Sequence, residues 1–176
     1  MKLRIGMAVL VVAFGVAACG DAAASRTPPP PPVAQTPEYP LNPNAVSALK
    51  ADHANFAFGD VPIGGGVVHT DFLVRNTSDQ PAHLVAAYTS CMCTTADLIM
   101  PDSTDLGPFG MPGHGASRPL DRTIQPGGTF TLRATFDPAA HGPDAVGPVQ
   151  RQVAIHTADG ATFTVEFTAN VVKGAG

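Results

Sequence analysis

An all-β fold, built as an antiparallel two-layer sandwich, is predicted by three observations. Two long stretches near the C-terminus alternate apolar and polar residues with a period of two. Short β-rich runs elsewhere are separated by Gly, Pro, Asn and Asp clusters of turn composition. No stretch of the globular region repeats its apolar residues at helical spacing.

The elements follow in order. Phe56 and Phe58 alternate with small residues, and Gly59-Asp60 is expected to break that run. Residues 67–75 are β-rich and end at Asn76-Thr77-Ser78-Asp79, a turn composition. Residues 82–89 form a further apolar run, and 149–157 is another strand candidate. Phe130, Leu132, Ala134 and Phe136 alternate with Thr131, Arg133 and Thr135. Phe163, Val165, Phe167, Ala169 and Val171 alternate with Thr164, Glu166, Thr168 and Asn170. A period of two places each apolar set on one buried face. Roughly six or seven short strands make a sandwich the natural closure. The chain has no Trp, so Phe side chains must fill the space between the sheets, with Phe72, Phe130, Phe136, Val165 and Phe167 inside.

Ahead of this domain lie two segments of different character. Residues 1–18 have the layout of an export signal: Lys2 and Arg4, an uncharged apolar stretch from Ile5, and small residues at Val16-Ala17-Ala18. That stretch is short and Gly/Ala-rich for a membrane span, which needs about 20 apolar residues. Val16-Ala17-Ala18-Cys19 resembles a bacterial lipobox, which implies cleavage before Cys19 and lipid on its sulfur. Residues 19–50 then form a Pro-rich tether with an unbroken run from Pro28 to Pro32. Proline fixes φ and lacks an amide donor, so this run is expected as semi-rigid polyproline II at about 3.1 Å per residue. The expected partner is a membrane, through the N-terminal lipid, in the bacterial cell envelope facing the periplasm or exterior. An envelope protein is a further possible partner. Losing Lys2 and Arg4 with the leader takes the formal charge from −4 to −6. An acidic chain without a Lys/Arg cluster speaks against nucleic acid.

The globular part, 51–176, also carries a resemblance. Its marks are Asn55-Phe56-Ala57-Phe58-Gly59-Asp60-Val61, then Phe72-Leu73-Val74-Arg75-Asn76-Thr77, Ser90-Cys91-Met92-Cys93-Thr94, Ile124-Gln125-Pro126-Gly127 and Ala134-Thr135-Phe136-Asp137. These marks resemble the pattern F-x-F-G-x-V, F-x-F-x-N-T, S-C-x-C-T, I-x-P-G and a strand ending in F-D of a bacterial family of exported domains of unknown function, often found on lipoproteins. That family is similar to immunoglobulin-like domains of the Hydin type. The resemblance implies an immunoglobulin-like sandwich outside the cytoplasm and no settled activity. This chain differs by a long insertion at about 97–123, where a stretch without regular structure is expected.

Chemistry concentrates at Cys91-Met92-Cys93. In an extended segment the two thiols would share one face, about 6.5 Å apart, with Met92 opposite. Two thiolates with a thioether or imidazole added favour copper(I), with zinc as the alternative. The insertion supplies Met111 and His114 within Phe109-Gly110-Met111-Pro112-Gly113-His114, and Asp137-Pro138-Ala139-Ala140-His141 supplies a second histidine. The candidate metal ligands are therefore Cys91, Cys93, Met111, His114 and His141. The bland alternatives stay open: the thiols as small buried hydrophobes or an oxidised pair, Met92 and Met100 as packing residues, and the remaining histidines as structural or solvated. No Gly-x-Ser-x-Gly, His-Glu-x-x-His or phosphate loop is present. The expected function is thus a lipid-anchored binding domain and not an enzyme. The alternatives are a structural or interaction module of the envelope, or a thiol-disulfide redox protein; no Lys, Arg or His adjoins the triplet in sequence to activate a thiol.

Overall fold

The computed structural model describes residues 40–114 and 118–174. The expected export signal, Cys19 and the Pro28–Pro32 run lie outside the described residues. Among the described residues nine strands form: β1 (Leu49–Ala51), β2 (Asn55–Pro62), β3 (Val68–Asn76), β4 (Ala82–Thr89), β5 (Thr94–Ile99), β6 (Arg122–Ile124), β7 (Thr129–Phe136), β8 (Gly147–Thr157) and β9 (Thr162–Val172). They build two sheets, one of order β1-β3-β7-β5 and one of order β2-β9-β8-β4-β6. With β1, β3, β4, β5, β7, β8 and β9 as strands A to G, the first sheet reads A-B-E-D and the second contains G-F-C. That is the immunoglobulin-like order. All pairings are antiparallel except β2 with β9.

The alternating stripes fill the interior as expected. Phe72, Phe130, Phe136, Val165 and Phe167 are all buried, and Phe136 stacks on Phe167 across the two sheets at 5.5 Å between centroids. Phe58 packs edge-on against Phe167. Phe56, one pleat further out, stays partly exposed.

Three expectations need correction. Gly59-Asp60 does not end β2. Gly59 takes φ +72°, and the register with β9 shifts between Ala57 and Asp60, so the strand bulges and continues to Pro62. The 97–123 insertion is not wholly irregular either. Its start belongs to β5 and its end to β6, and Ala96 and Phe109 bridge, as do Ile99 and Asp105, folding the returning chain against the β5 edge. Phe109 is buried in the core as a result. The third correction concerns the cysteine triplet, which is a turn and not a strand end.

The described residues reach the sandwich ahead of residue 51. Asn42 donates its amide to the Gly160 carbonyl at 3.0 Å, so residues grouped above with the tether rest against the β8–β9 connection. Among the described residues no helix is long and apolar enough to cross a membrane.

Candidate metal centre

The site occupies one end of the sandwich, where two connections meet. β4 belongs to one sheet and β5 to the other, so the chain between them must cross the sandwich. Ser90–Cys93 makes that crossing as a bend and turn. Ser90 extends the β4–β8 ladder: its amide donates to the Gln152 carbonyl at 3.0 Å, and its Oγ accepts from the Gln152 amide at 2.9 Å. Thr94 then donates its amide to the Cys91 carbonyl at 3.1 Å, closing a four-residue turn. The buried Thr89 hydroxyl sits 3.0 Å from the Cys91 carbonyl and 2.9 Å from that of Thr94, and so pins both ends of the turn.

The second connection leaves β7. Asp137 donates its amide to the Cys93 carbonyl at 2.9 Å, continuing the β5–β7 ladder by one pair. The Asp137 carboxylate accepts from the Ala139 amide at 2.9 Å, an Asx turn that curls the chain back. His141 is thereby delivered over the cysteines, with Nε2 3.1 Å from Cys91 Sγ.

The third contributor is Arg151. β4 pairs with β8 only from Val153 onward, so the first half of β8 runs beyond the end of the β4 strand. Along β8, Val149, Arg151, Val153 and Ile155 share a face by the period of two. Arg151 thus points to the inner side at the mouth of the core and donates Nε–H to Cys93 Sγ at 3.0 Å.

These elements bring Cys91 Sγ, Cys93 Sγ and His141 Nε2 within 4.8 Å of one another. Both cysteines are free thiols. Cys93 is buried (3% exposed) while Cys91 is half-buried. Their ionisation divides accordingly. Burial works to raise the Cys91 thiol, but hydrogen bonds from the Cys93 thiol and amide and from His141, with the Arg151 charge, bring it down to about 7. Cys93 is pushed up, by burial first and then by its bond to Cys91, against the opposing pull of Arg151.

The sequence-predicted ligands separate into two groups. Cys91, Cys93 and His141 converge. His114 is exposed and is not one of the converging groups. Met111 opens the turn that its carbonyl closes with the His114 amide at 3.0 Å, and it is half-buried. The preceding Gly110 carbonyl accepts from the Thr89 amide at 3.2 Å, which ties this loop to the end of β4. Met92, expected to pack, is instead 50% exposed at the turn, whereas Met100 does pack in the core. Arg151 was not anticipated. The one signal for it was a cation in the inward register of an otherwise apolar stripe.

A cavity of about 220 Å³ adjoins the site, walled by Phe136, Pro138, His141, Val146, Val149 and Arg151. A larger concavity of about 480 Å³ lies at the β2 bulge, against Gly59, Asp60, Gln150 and Asn170. It has neither thiol nor imidazole in its walls, so chemistry places the candidate site at the smaller one.

No family model matches the chain, and neither does any curated protein. Among solved structures, a protein of unknown function from Porphyromonas gingivalis W83 is similar at TM-score 0.49 and 19% identity, over 74% of this chain and 51% of that one. The seventh PapD-like domain of human CEP192 is similar at TM-score 0.42 and 10% identity, over 80% and 99%. The CupB2 chaperone of Pseudomonas aeruginosa is similar at TM-score 0.40 and 14% identity, over 69% and 55%. The chain spans about half the length of the Porphyromonas protein. Likenesses at this level carry no activity across; the immunoglobulin-like sandwich rests on the strand order of the chain itself.

Proposed function

We propose that this domain binds a single soft metal ion, copper(I), through Cys91, Cys93 and His141, and handles it in the bacterial cell envelope on a lipid anchor at Cys19. The observation that carries the reading is the convergence of two thiol sulfurs and an imidazole nitrogen within 4.8 Å, built by two connections that share no sequence neighbourhood. Thiolate and imidazole donors select soft or borderline ions over calcium or magnesium. Three donors complete a trigonal copper(I) site, whereas zinc in structural sites takes four. Charge points the same way. Two thiolates and one copper(I) carry a net negative charge, and the Arg151 guanidinium 3.0 Å from Cys93 Sγ offsets it. Zinc is the alternative ion and would require a fourth donor, which an incoming group in the adjacent cavity could supply.

The envelope location is supported by the export-type N-terminus, the lipobox-like Val16-Ala17-Ala18-Cys19 and the motif resemblance to exported lipoprotein domains. On this reading the domain is a binder and not an enzyme. Its test is an anaerobic titration of the reduced protein with copper(I) against a chromogenic chelator. One equivalent taken up by the parent and lost in a Cys91→Ser/Cys93→Ser variant supports the reading. Equal uptake by that variant defeats it and leaves an interaction module of the envelope.

A further inference from the structure

The two sulfurs are not equivalent, and the difference has the form needed for thiol–disulfide exchange. Cys91 is half-buried and faces His141, with its sulfur accepting from the Cys93 amide at 3.4 Å. Cys93 is buried, and its sulfur accepts from Arg151 Nε–H at 3.0 Å. The sulfurs lie no more than 4.8 Å apart in a closed turn. A disulfide needs about 2.05 Å, which side-chain rotation within a turn can supply where a flat strand could not.

We propose that Cys91 and Cys93 form a reversible disulfide that oxidises dithiols, with Cys91 as the sulfur that meets the substrate and Cys93 as the leaving thiolate held by Arg151. The proposal uses the same thiols as the metal reading but needs no metal. Loading begins when the Cys91 thiolate attacks a small-molecule disulfide such as oxidised glutathione. A mixed disulfide forms on Cys91 and one glutathione thiolate leaves. Cys93 gives up its proton to that thiolate and attacks Cys91 Sγ, expelling the second glutathione. Two thiols have become one disulfide, and one glutathione disulfide has become two thiols.

Delivery runs the other way. A substrate thiolate attacks Cys91 Sγ, the only one of the two sulfurs open to it, and Cys93 departs as a thiolate onto the waiting Arg151 donor. The second substrate thiol then attacks its own sulfur in the mixed disulfide, and Cys91 leaves as a thiolate toward the Cys93 amide and His141. The substrate dithiol is oxidised by two electrons and the protein disulfide is reduced by two. A bridge between residues two apart closes too small a loop to gain much chain entropy. Such a short-loop, accessible bridge is labile and more oxidising than a structural one.

The test uses the metal-free full chain carrying Cys19→Ser, so that only the two site thiols react. After oxidised glutathione and acid quenching, intact mass should show the loss of two hydrogens and no glutathione adduct. Cys93→Ser should instead trap one glutathione on Cys91, and Cys91→Ser should react at least about tenfold more slowly, as expected for a thiol without access. Dithiothreitol should reduce the oxidised Arg151→Gln protein about tenfold more slowly than the parent, with partial rescue in Arg151→Lys, since a poorer leaving thiolate slows exchange. Circular dichroism checks that each variant is folded. Failure of the disulfide to form, or equal rates for the two serine variants, overturns the proposal. An unchanged reduction rate in folded Arg151→Gln overturns the role of Arg151. Exchange that persists without copper(I) uptake would sink the metal reading alone, and uptake without exchange would sink only this one.

Discussion

At Cys91 a single side chain gathers a burial penalty and four groups that oppose it, and the outcome is a thiol poised at about 7. The sign of its pH dependence follows. Above that value the thiolate dominates, and below it the proton competes with any metal. Copper(I) affinity should therefore fall as pH drops from 8 to 6, and alkylation of Cys91 by iodoacetamide should slow over the same interval. Arg151→Gln should move the alkylation midpoint upward, because a cation that favours the thiolate is removed. Mass-resolved alkylation across pH checks both; a flat profile through neutral pH would contradict the assignment. At a core position, Phe167 is 1% exposed and touches both Phe58 and Phe136. Phe167→Ala should cost about 3–5 kcal/mol, read as a large drop in the denaturation midpoint.

The elements show what was legible in the sequence and what was not. β7 and β9 were legible because their alternation is strict and each has a single buried face. The conformation of Cys91-Met92-Cys93 was not, because nothing in those residue types announces a turn. The bend is imposed by the crossing from one sheet to the other and pinned by Thr89 from the preceding strand. His141 and His114 could not be ranked locally, since both sit in Gly/Pro turns. The register that places Asp137 opposite Cys93 decides between them, and that is a property of the β5–β7 pairing. Arg151 was hidden for the same reason, by distance along the chain. Thr89→Val keeps shape and removes the hydroxyl that the Cys91 and Thr94 carbonyls share, while the Cys91 carbonyl keeps the Thr94 amide. It should cost about 1–3 kcal/mol, and weaken copper(I) binding while the far end of the sandwich is unchanged. Hydrogen exchange that loosens only around 89–94 would confirm it; unchanged affinity would show that the turn holds without Thr89. In the returning loop, a Cβ on Gly107 would collide with Asp97 Oδ1 and meet Asp97 Cα at 2.9 Å. Gly107→Ala should push the 107–109 segment off the β5 edge at a cost of about 1–3 kcal/mol, measurable by thermal denaturation.

For the molecule as a whole, the sandwich acts as a rigid clamp that brings the ends of β4, β7 and β8 to one place. Strand order and core were within reach of pattern reasoning. Of the four groups at the site, Cys91, Cys93 and His141 were within reach of the sequence, though unranked against Met111 and His114, and Arg151 was not. The proposed lipid anchor adds a second property. If lipid on Cys19 holds the chain at a membrane, Cys19→Ser should release the protein to the soluble fraction. Quantitative retention of that variant in membranes would refute the anchor. The central claim remains that Cys91, Cys93 and His141 form one soft-metal centre. It is tested most directly by competitive copper(I) titration of the reduced parent, His141→Ala and His114→Ala proteins under anaerobic conditions. The geometry predicts one tight equivalent in the parent, a weakening of about tenfold or more in His141→Ala, as for loss of a donor, and no change in His114→Ala. Parent-like affinity in His141→Ala would contradict it.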